Sequence, residues 1–278
     1  MSLLPVLAAL GSAVLNALAS VLHHQAGARR SGFTVVLNPR WLLGTAVAAG
    51  AFALHTLALQ SGQLAVVQPL LVSGLIFALP MAALLERQRL KFVHLGWSTV
   101  VVAGLALFLA SAQPAVGRPV AKGGSLALAA GLVLVLATGC FGLGLRWHRH
   151  RAALWALAGG FGYGVVAALL KQNVGLLSLG LWPVVTSWTF YALLVAGPAS
   201  VAVNQAAFNA GPLVSSLPTL TIANPVVAIA LGAIVFGEGV ASAPILVAGQ
   251  VIGFTVMAMG VVALTASTPQ PQPPDPRV

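Results

Sequence analysis

Near its start the chain reads LGSAVLNALASVLHHQAG at residues 10–27, and residues 158–175 read AGGFGYGVVAALLKQNVG. At an offset of 148 residues, four pairs of positions are identical: Gly11/Gly159, Ala19/Ala167, Leu22/Leu170 and Gly27/Gly175. ALQSGQLAVVQPLL at 58–71 and AFNAGPLVSSLPTL at 207–220 form a second pair of similar stretches, at an offset of 149. Two similar stretches in the same order, at nearly one offset, indicate an internal repeat. The alternative is a chance resemblance, because small residues recur wherever membrane helices pack closely.

The composition predicts an all-α integral membrane protein. Of its 278 residues 59% are hydrophobic and 6% charged, and the mean hydropathy is +1.00. A membrane-spanning helix needs about 20 apolar residues, and lipid offers the backbone no hydrogen-bond partners outside a helix or a closed barrel. The sequence predicts nine such helices, at 4–26, 40–60, 63–85, 92–112, 123–145, 152–172, 182–203, 209–236 and 243–266.

The repeat and the number of spans together predict a 4+1+4 inverted-topology repeat. Span six comes five helices after span one, and a shift by an odd number of helices means that the two copies cross the membrane in opposite directions. Inverted repeats of this kind are typical of secondary transporters, which bind substrate near the bilayer midplane between the halves. The predicted organisation is a first repeat, a linker helix with a loop, a second repeat and a disordered proline-rich tail, at 1–112, 113–151, 152–266 and 267–278.

The basic residues predict the orientation in the membrane. With the N-terminus outside and the C-terminus in the cytoplasm, ten of the 13 lysines and arginines fall on the cytoplasmic side. This excess follows the positive-inside rule and explains the net charge of +10 without a nucleic-acid partner. We therefore expect a multi-pass protein of the plasma (inner) membrane, with the lipid bilayer as its surroundings.

The second copy contains NPVVAIALGAIVFGE at residues 224–238, with a proline inside a small-residue helix that ends in Gly-Glu. This pattern resembles the signature of the drug/metabolite transporter superfamily, EamA-like group. The first copy, QPLLVSGLIFALPMAALLE at 68–86, is a looser match that ends in Glu86. The resemblance covers nearly all of the chain and implies a transporter.

The helix count departs from the family's usual five plus five helices. A nine-helix layout looks more like the NIPA-like branch, whose better-known members are linked to magnesium transport. That branch often carries a basic pair before a glycine where this chain has HHQAG at residues 23–27. The basic pair is absent here, so the resemblance does not carry the substrate over.

Acidic residues are too few for a magnesium mechanism. The chain has three, and Asp275 lies in the tail while Glu86 and Glu238 close helices at their membrane edges. Mg²⁺ is usually bound by one or two carboxylates, and none lies mid-membrane. The sequence therefore predicts no metal site unless Glu86 or Glu238 folds inward.

Polar residues inside the spans are the candidates for substrate binding, because they are costly in hydrocarbon unless they have partners. Proline frees a backbone carbonyl, so Asn224-Pro225 is the strongest candidate and Gln68-Pro69 its nearest counterpart. The alternative for both is a packing kink, and for Asn16 a hydrogen bond between helices. The full predicted set is Asn16, Gln68, Thr221, Asn224 and Gln250.

Three basic residues are candidates for gating or coupling. His23 aligns with Lys171, and inversion puts them at opposite mouths of the predicted cavity. His55 lies among apolar neighbours, and histidine can titrate near neutral pH. The alternative for His55 is a packing residue whose polar atoms already have hydrogen-bond partners. The alternative for Lys171, which we prefer for that residue, is that its side chain extends along the helix to reach water, known as snorkelling.

These features predict a secondary transporter that moves a small metabolite by alternating access, with export as the commoner direction by family analogy. One alternative is a divalent-cation transporter, and another is a non-transporting accessory or scaffold protein. We find no nucleotide-binding loop, no pairing of nucleophile and base, and no cofactor motif, so neither an enzyme nor a cofactor is predicted. A homodimer stays open, because no interface motif indicates one.

Overall fold

The computed structural model describes residues 3–27, 38–74, 76–77, 81, 92–113, 115, 117–122, 124–210 and 213–267. Their regular structure is helical, apart from one isolated bridge between Ala115 and Gly239. A short 3₁₀ turn, His148–His150, precedes the sixth helix. The helices are α1 (Leu3–Gly27), α2 (Pro39–Ser61), α3 (Leu64–Val72), α4 (Phe92–Ala112), α5 (Ser125–Arg146), α6 (Arg151–Leu177), α7 (Leu181–Thr186), α8 (Trp188–Asn209), α9 (Leu213–Phe236) and α10 (Pro244–Ser267).

Seven helices in the described part are long and apolar enough to cross a membrane. They lie in α1, α2, α5, α6, α8, α9 and α10 and coincide with seven of the predicted spans. The chain is therefore a helical, multi-pass membrane protein. The fourth predicted span contains a shorter apolar stretch, Gly96–Ala112, and much of the third lies outside the described residues. The count of nine stays a prediction.

The structure corrects one predicted boundary. The seventh span was placed at 182–203, but the long helix α8 begins at Trp188, after the separate short helix α7. Ser187 has extended backbone angles, and its side chain accepts a hydrogen bond from the Thr189 backbone N–H. An N-cap of this kind marks a helix start, and the apolar character of α7 hid it from a hydropathy count.

Helix α6 lies at the centre of the bundle. In its apolar window 61% of the residues are buried, against 17% in α5 and in α8. It packs against α5, α8 and α9, while α1 packs on α2, α4 on α10, and α3 against both α1 and α9. Leu128, Leu132 and Leu136 form an exposed stripe on α5 at helical spacing, as expected for a face that contacts lipid.

Several helix ends meet at one end of the bundle. The Arg118 N–H donates to the Phe236 carbonyl oxygen at 2.7 Å, and the Ala115 N–H donates to the Gly239 carbonyl oxygen at 2.8 Å. Gly62, residues 115 and 117–122, and the ion-paired Lys171 and Glu238 lie here, and we call this region the ion-pair end.

Helices α4 and α10 approach each other through glycines. A Cβ atom added at Gly253 would lie 2.5 Å from the Phe108 backbone nitrogen and 2.8 Å from the Gly104 carbonyl oxygen. Such small-residue contacts bring the backbones of membrane helices close together. By contrast, a Cβ atom at Gly139 on the exposed face of α5 would meet nothing within 4 Å.

We expect Gly253→Leu to lower the free energy of unfolding by roughly 1–3 kcal/mol, the usual cost of overpacking a close contact. Gly139→Leu is the matched control and should be neutral or stabilising, since leucine favours the helix over glycine. The measurement is thermal unfolding of both purified variants in detergent. Equal losses of stability in the two variants would contradict the close α4–α10 contact.

Candidate functional site

A buried ion pair joins two distant parts of the chain at the ion-pair end. Lys171 of α6 contacts the carboxylate of Glu238, which follows α9, and their side chains are 7% and 1% exposed. Glu86 and Asp275 lie outside the described residues, so Glu238 is the one acid in the described part of the chain. Because a charge costs several kcal/mol to remove from water, the position of each side chain depends on the other.

Glu238 also holds the first turn of α3. Its two carboxylate oxygens accept hydrogen bonds from the Leu64 backbone N–H at 3.1 and 2.9 Å. Gln63, at the N-cap position, makes no side-chain capping bond. The N-terminal N–H groups of a helix lack partners and carry partial positive charge. The Glu238 carboxylate, 174 residues away in sequence, therefore acts as the cap of α3.

Lys171 adds a third connection. Its ammonium donates to the Gly62 carbonyl oxygen at 3.0 Å, just beyond the end of α2, and lies 5.5 Å from the centre of the Phe236 ring. The ammonium and the carboxylate together link the end of α2, the start of α3, α6 and the end of α9. All four elements meet at this one cluster.

Residues 117–122 lie against the same cluster. The Ala121 N–H donates to Gln172 Oε1 at 2.8 Å, and a Cβ atom added at Gly117 would lie 2.6 Å from the Phe236 carbonyl oxygen. A Cβ atom at Gly232 would touch the Glu238 carboxylate, and one at Gly175 would touch the Pro119 carbonyl oxygen. Glycines therefore allow the ion pair and this segment to pack closely.

An open pocket of about 250 Å³ lies beside the pair. Among the described residues, its lining includes Lys171 and Arg118 and no acidic side chain, together with parts of 59–63 and 117–119. The Arg118 side chain is exposed, whereas Lys171 is buried. The mouth of the pocket is therefore positively charged, and its inner wall is formed by a lysine that already holds a carboxylate.

Polar atoms without protein partners lie deeper in the bundle. Gln68 Nε2, Asn224 Oδ1 and His55 Nε2 are buried and have no hydrogen-bond partner among the described residues. Most buried polar atoms are hydrogen-bonded, so such atoms are the ones able to contact a bound molecule. Asn224 lies eight residues inward from Gly232, about 12 Å along α9 at 1.5 Å per residue.

Of the predicted substrate-binding residues, Gln68 and Asn224 have these unpartnered atoms, and Thr221 is half-buried one turn from Asn224. Gln250 instead links α10 to α4 and to the segment after α9, since its side-chain amide donates to the Ser111 and Ala241 carbonyl oxygens at 3.2 and 2.8 Å. These bonds account for its polar group without a substrate.

Asn16 lies apart from the other predicted residues. Ser12, four residues before Asn16 on α1, is fully buried and donates to the Ala51 carbonyl oxygen at 2.7 Å, while Asn16 is exposed. Positions four apart differ by about 40° around a helix. That angle is enough to turn one of them out of the contact between α1 and α2.

The predicted gating residues have different outcomes. The side chain of His23 lies outside the described residues. His55 is on α2 one turn inward from Leu59, which lines the pocket. The preferred snorkelling interpretation of Lys171 is wrong, because the side chain is buried and its ammonium is bound to Glu238 and Gly62.

The pairing of Lys171 with Glu238 was not predicted from the sequence. Glu238 was interpreted as a residue that closes a helix at the membrane edge, although the predicted topology put both residues on the same side of the membrane. With three acids and 13 lysines and arginines in the chain, an acid and a lysine at one membrane face were the signal for an ion pair.

Metal ligands do not gather in the described part of the chain, where no three His, Cys, Asp or Glu side chains come together. The Glu238 carboxylate is already bound by an ammonium and a backbone N–H. A divalent cation there would meet the positive charge of Lys171. Glu86, the other predicted candidate, lies outside the described residues.

Comparison with known proteins gives one informative match. No family model matches the sequence, and no solved structure matches it. An uncharacterized protein of Corynebacterium glutamicum is 31% identical, over 95% of this chain and 92% of the relative. Identity at this level over nearly the full length of both chains means that the chain belongs to the same family as this corynebacterial protein.

Proposed function

We propose that the protein is a secondary transporter of the drug/metabolite superfamily, which moves a small metabolite across the plasma membrane by alternating access, in the export direction. The observation that carries this proposal is the buried Lys171–Glu238 pair. The pair lies at one end of a bundle whose interior holds polar atoms of Gln68 and Asn224 that have no partner among the described residues. Alternating access requires a substrate site with polar groups inside the bundle and a barrier that separates this site from one side of the membrane at a time.

The helix packing supports an inverted repeat. In the proposed arrangement α1 corresponds to α6, α2 to α8, α3 to α9 and α4 to α10. The contact of α1 with α2 then has its counterpart in that of α6 with α8, and the contact of α1 with α3 in that of α6 with α9. In this arrangement the pairs α3–α9 and α4–α10, which are in contact, would lie on the pseudo-two-fold axis that relates the halves of such transporters.

Charge distribution supports the ion-pair end as the outer face. This end carries Arg118, Lys122 and Lys171 together with Glu238. The opposite end carries Arg40, Arg146, Arg149 and Arg151, with no acid in the described part of the chain. The opposite end has more lysines and arginines, four against three, and the positive-inside rule assigns the end with more of them to the cytoplasm. In this proposal the ion pair is the outer gate, and the arrangement of the structure corresponds to a state with that gate closed.

A ligand screen tests this function. The detergent-purified protein is heated with single compounds from a panel of amino acids, nucleobases, organic anions, quaternary ammonium ions and Mg²⁺. A ligand that binds only the folded protein raises its apparent stability. We expect at least one small organic compound to raise the melting temperature saturably, and Asn224→Leu to abolish that shift.

The matched control is Gln205→Leu, on the exposed surface of α8, which should keep the shift. A transporter is contradicted if no compound in the panel stabilises the protein, which is the expectation for a scaffold. A shift with Mg²⁺ alone, lost in Glu238→Gln, would instead establish the divalent-cation alternative.

A further inference from the structure

The side chains around the ion pair have the chemistry of a carboxylate receptor. The Lys171 ammonium and the Leu64 N–H together hold a carboxylate, that of Glu238. An ammonium has three N–H donors, and the bonds to Glu238 and Gly62 use two of them. Lys171 also lines the open pocket, where its remaining donor is able to meet a group that enters from outside.

The pocket selects for negative charge. Lys171 and Arg118 line it, with no acidic side chain from the part of the chain that the structure describes, and Lys122 is exposed on the same segment as Arg118. A cleft of one charge sign raises the local concentration of the opposite ion. Its volume of about 250 Å³ is just below the roughly 300–1,000 Å³ typical of drug-sized ligands, which suits a small metabolite.

We propose that this pocket binds the anionic group of a small soluble organic anion, through Lys171 and Arg118, and that the anion competes with Glu238 for Lys171. This inference rests on the proposed transport function and names its substrate class. An anion that takes the place of Glu238 on Lys171 leaves the carboxylate bound to Leu64 alone. The link between α3 and α6 is then broken, so binding of the substrate itself loosens the outer gate.

Competition between the anion and Glu238 for Lys171 predicts the direction in which removing Glu238 changes the affinity for anions. Glu238→Gln keeps an oxygen that accepts from the Leu64 N–H but removes the competing negative charge. We therefore expect this variant to bind anions about tenfold more tightly, and Arg118→Gln to bind them about tenfold more weakly, as for one charge-assisted hydrogen bond. A site that used Glu238 to bind a cation would show the opposite response to Glu238→Gln.

Isothermal titration calorimetry tests the proposal on the full chain in neutral detergent. The probes are acetate, succinate and inorganic phosphate, with choline and Mg²⁺ as chloride salts at matched ionic strength. Arg149→Gln, an exposed arginine at the opposite end, is the control and should leave the affinity unchanged. If Glu238→Gln does not fold, Lys171→Gln/Glu238→Gln replaces it; having neither charge, it should lose anion binding.

The inference is overturned if none of the anions binds, if Glu238→Gln weakens binding, or if Arg149→Gln weakens it as much as Arg118→Gln. It is also overturned if Arg118→Gln weakens binding to nanodiscs of anionic lipid but changes the binding of none of the soluble anions. The pocket would then bind lipid headgroups. A neutral or cationic compound whose stabilisation is lost in Asn224→Leu would overturn this inference while leaving the transport function standing.

Discussion

Lys171→Met should lower the free energy of unfolding by about 3–5 kcal/mol, because it leaves the Glu238 carboxylate buried without its cation. In the structure that carboxylate is 1% exposed and would keep only the Leu64 N–H as partner. Glu238→Gln should also destabilise, since it strands the Lys171 ammonium. The measurement is unfolding of the purified variants in detergent, followed by loss of helical circular dichroism.

The double variant Lys171→Met/Glu238→Gln is the decisive comparison. It removes both charges and keeps an acceptor for the Leu64 N–H, so it should recover most of the stability that either single variant loses. Lys122→Met, an exposed lysine on the adjoining segment, should change stability by less than about 0.5 kcal/mol. Additive losses in the double variant would show that the two charges do not depend on each other.

Much of the fold follows from the sequence because long apolar runs and their breaks are local features. The break between spans two and three was predicted from the run itself, and the structure ends α2 at Ser61 and starts α3 at Leu64. Ser187, by contrast, interrupts an apolar run through one side-chain hydrogen bond, which a hydropathy window averages away.

The candidate site was only partly predictable. Gln68 and Asn224 were predicted because each is a polar residue inside a membrane span that is followed by a proline, and that is a local property of the sequence. The bond between Lys171 and Glu238 joins residues 67 apart in sequence and depends on how α6 and α9 pack. Nor does the sequence show that Gln250 already has two carbonyl partners, since these lie on α4 and in the segment after α9.

The second prediction with a large expected effect concerns how fast a reagent from outside reaches the interior of the helix bundle. Gln68 lies one turn inward from Leu64, whose N–H binds Glu238, and is 2% exposed. If the ion pair is the outer gate, a probe from outside reaches this position only when the pair is broken. A closed conformation of this kind opens rarely, with the minor state at about 0.1–10%.

Labelling of a cysteine at this position measures the opening. Gln68→Cys is introduced with the native thiol removed by Cys140→Ser, in right-side-out vesicles treated with a membrane-impermeant thiol reagent. Two backgrounds are compared, one with the intact pair and one carrying Lys171→Met/Glu238→Gln. Lys122→Cys, exposed at the ion-pair end, serves as the labelled control, and Leu132→Cys, on the exposed leucine stripe of α5, as the unlabelled one.

The expected result is slow labelling of Gln68→Cys with the intact pair and labelling about 10- to 1,000-fold faster when the pair is replaced, the range set by making an open state of 0.1–10% the major one. Both controls should keep their rates in the two backgrounds. Equal rates for Gln68→Cys in the two backgrounds, with both variants folded, would contradict the assignment of Lys171 and Glu238 as the outer gate of a transporter.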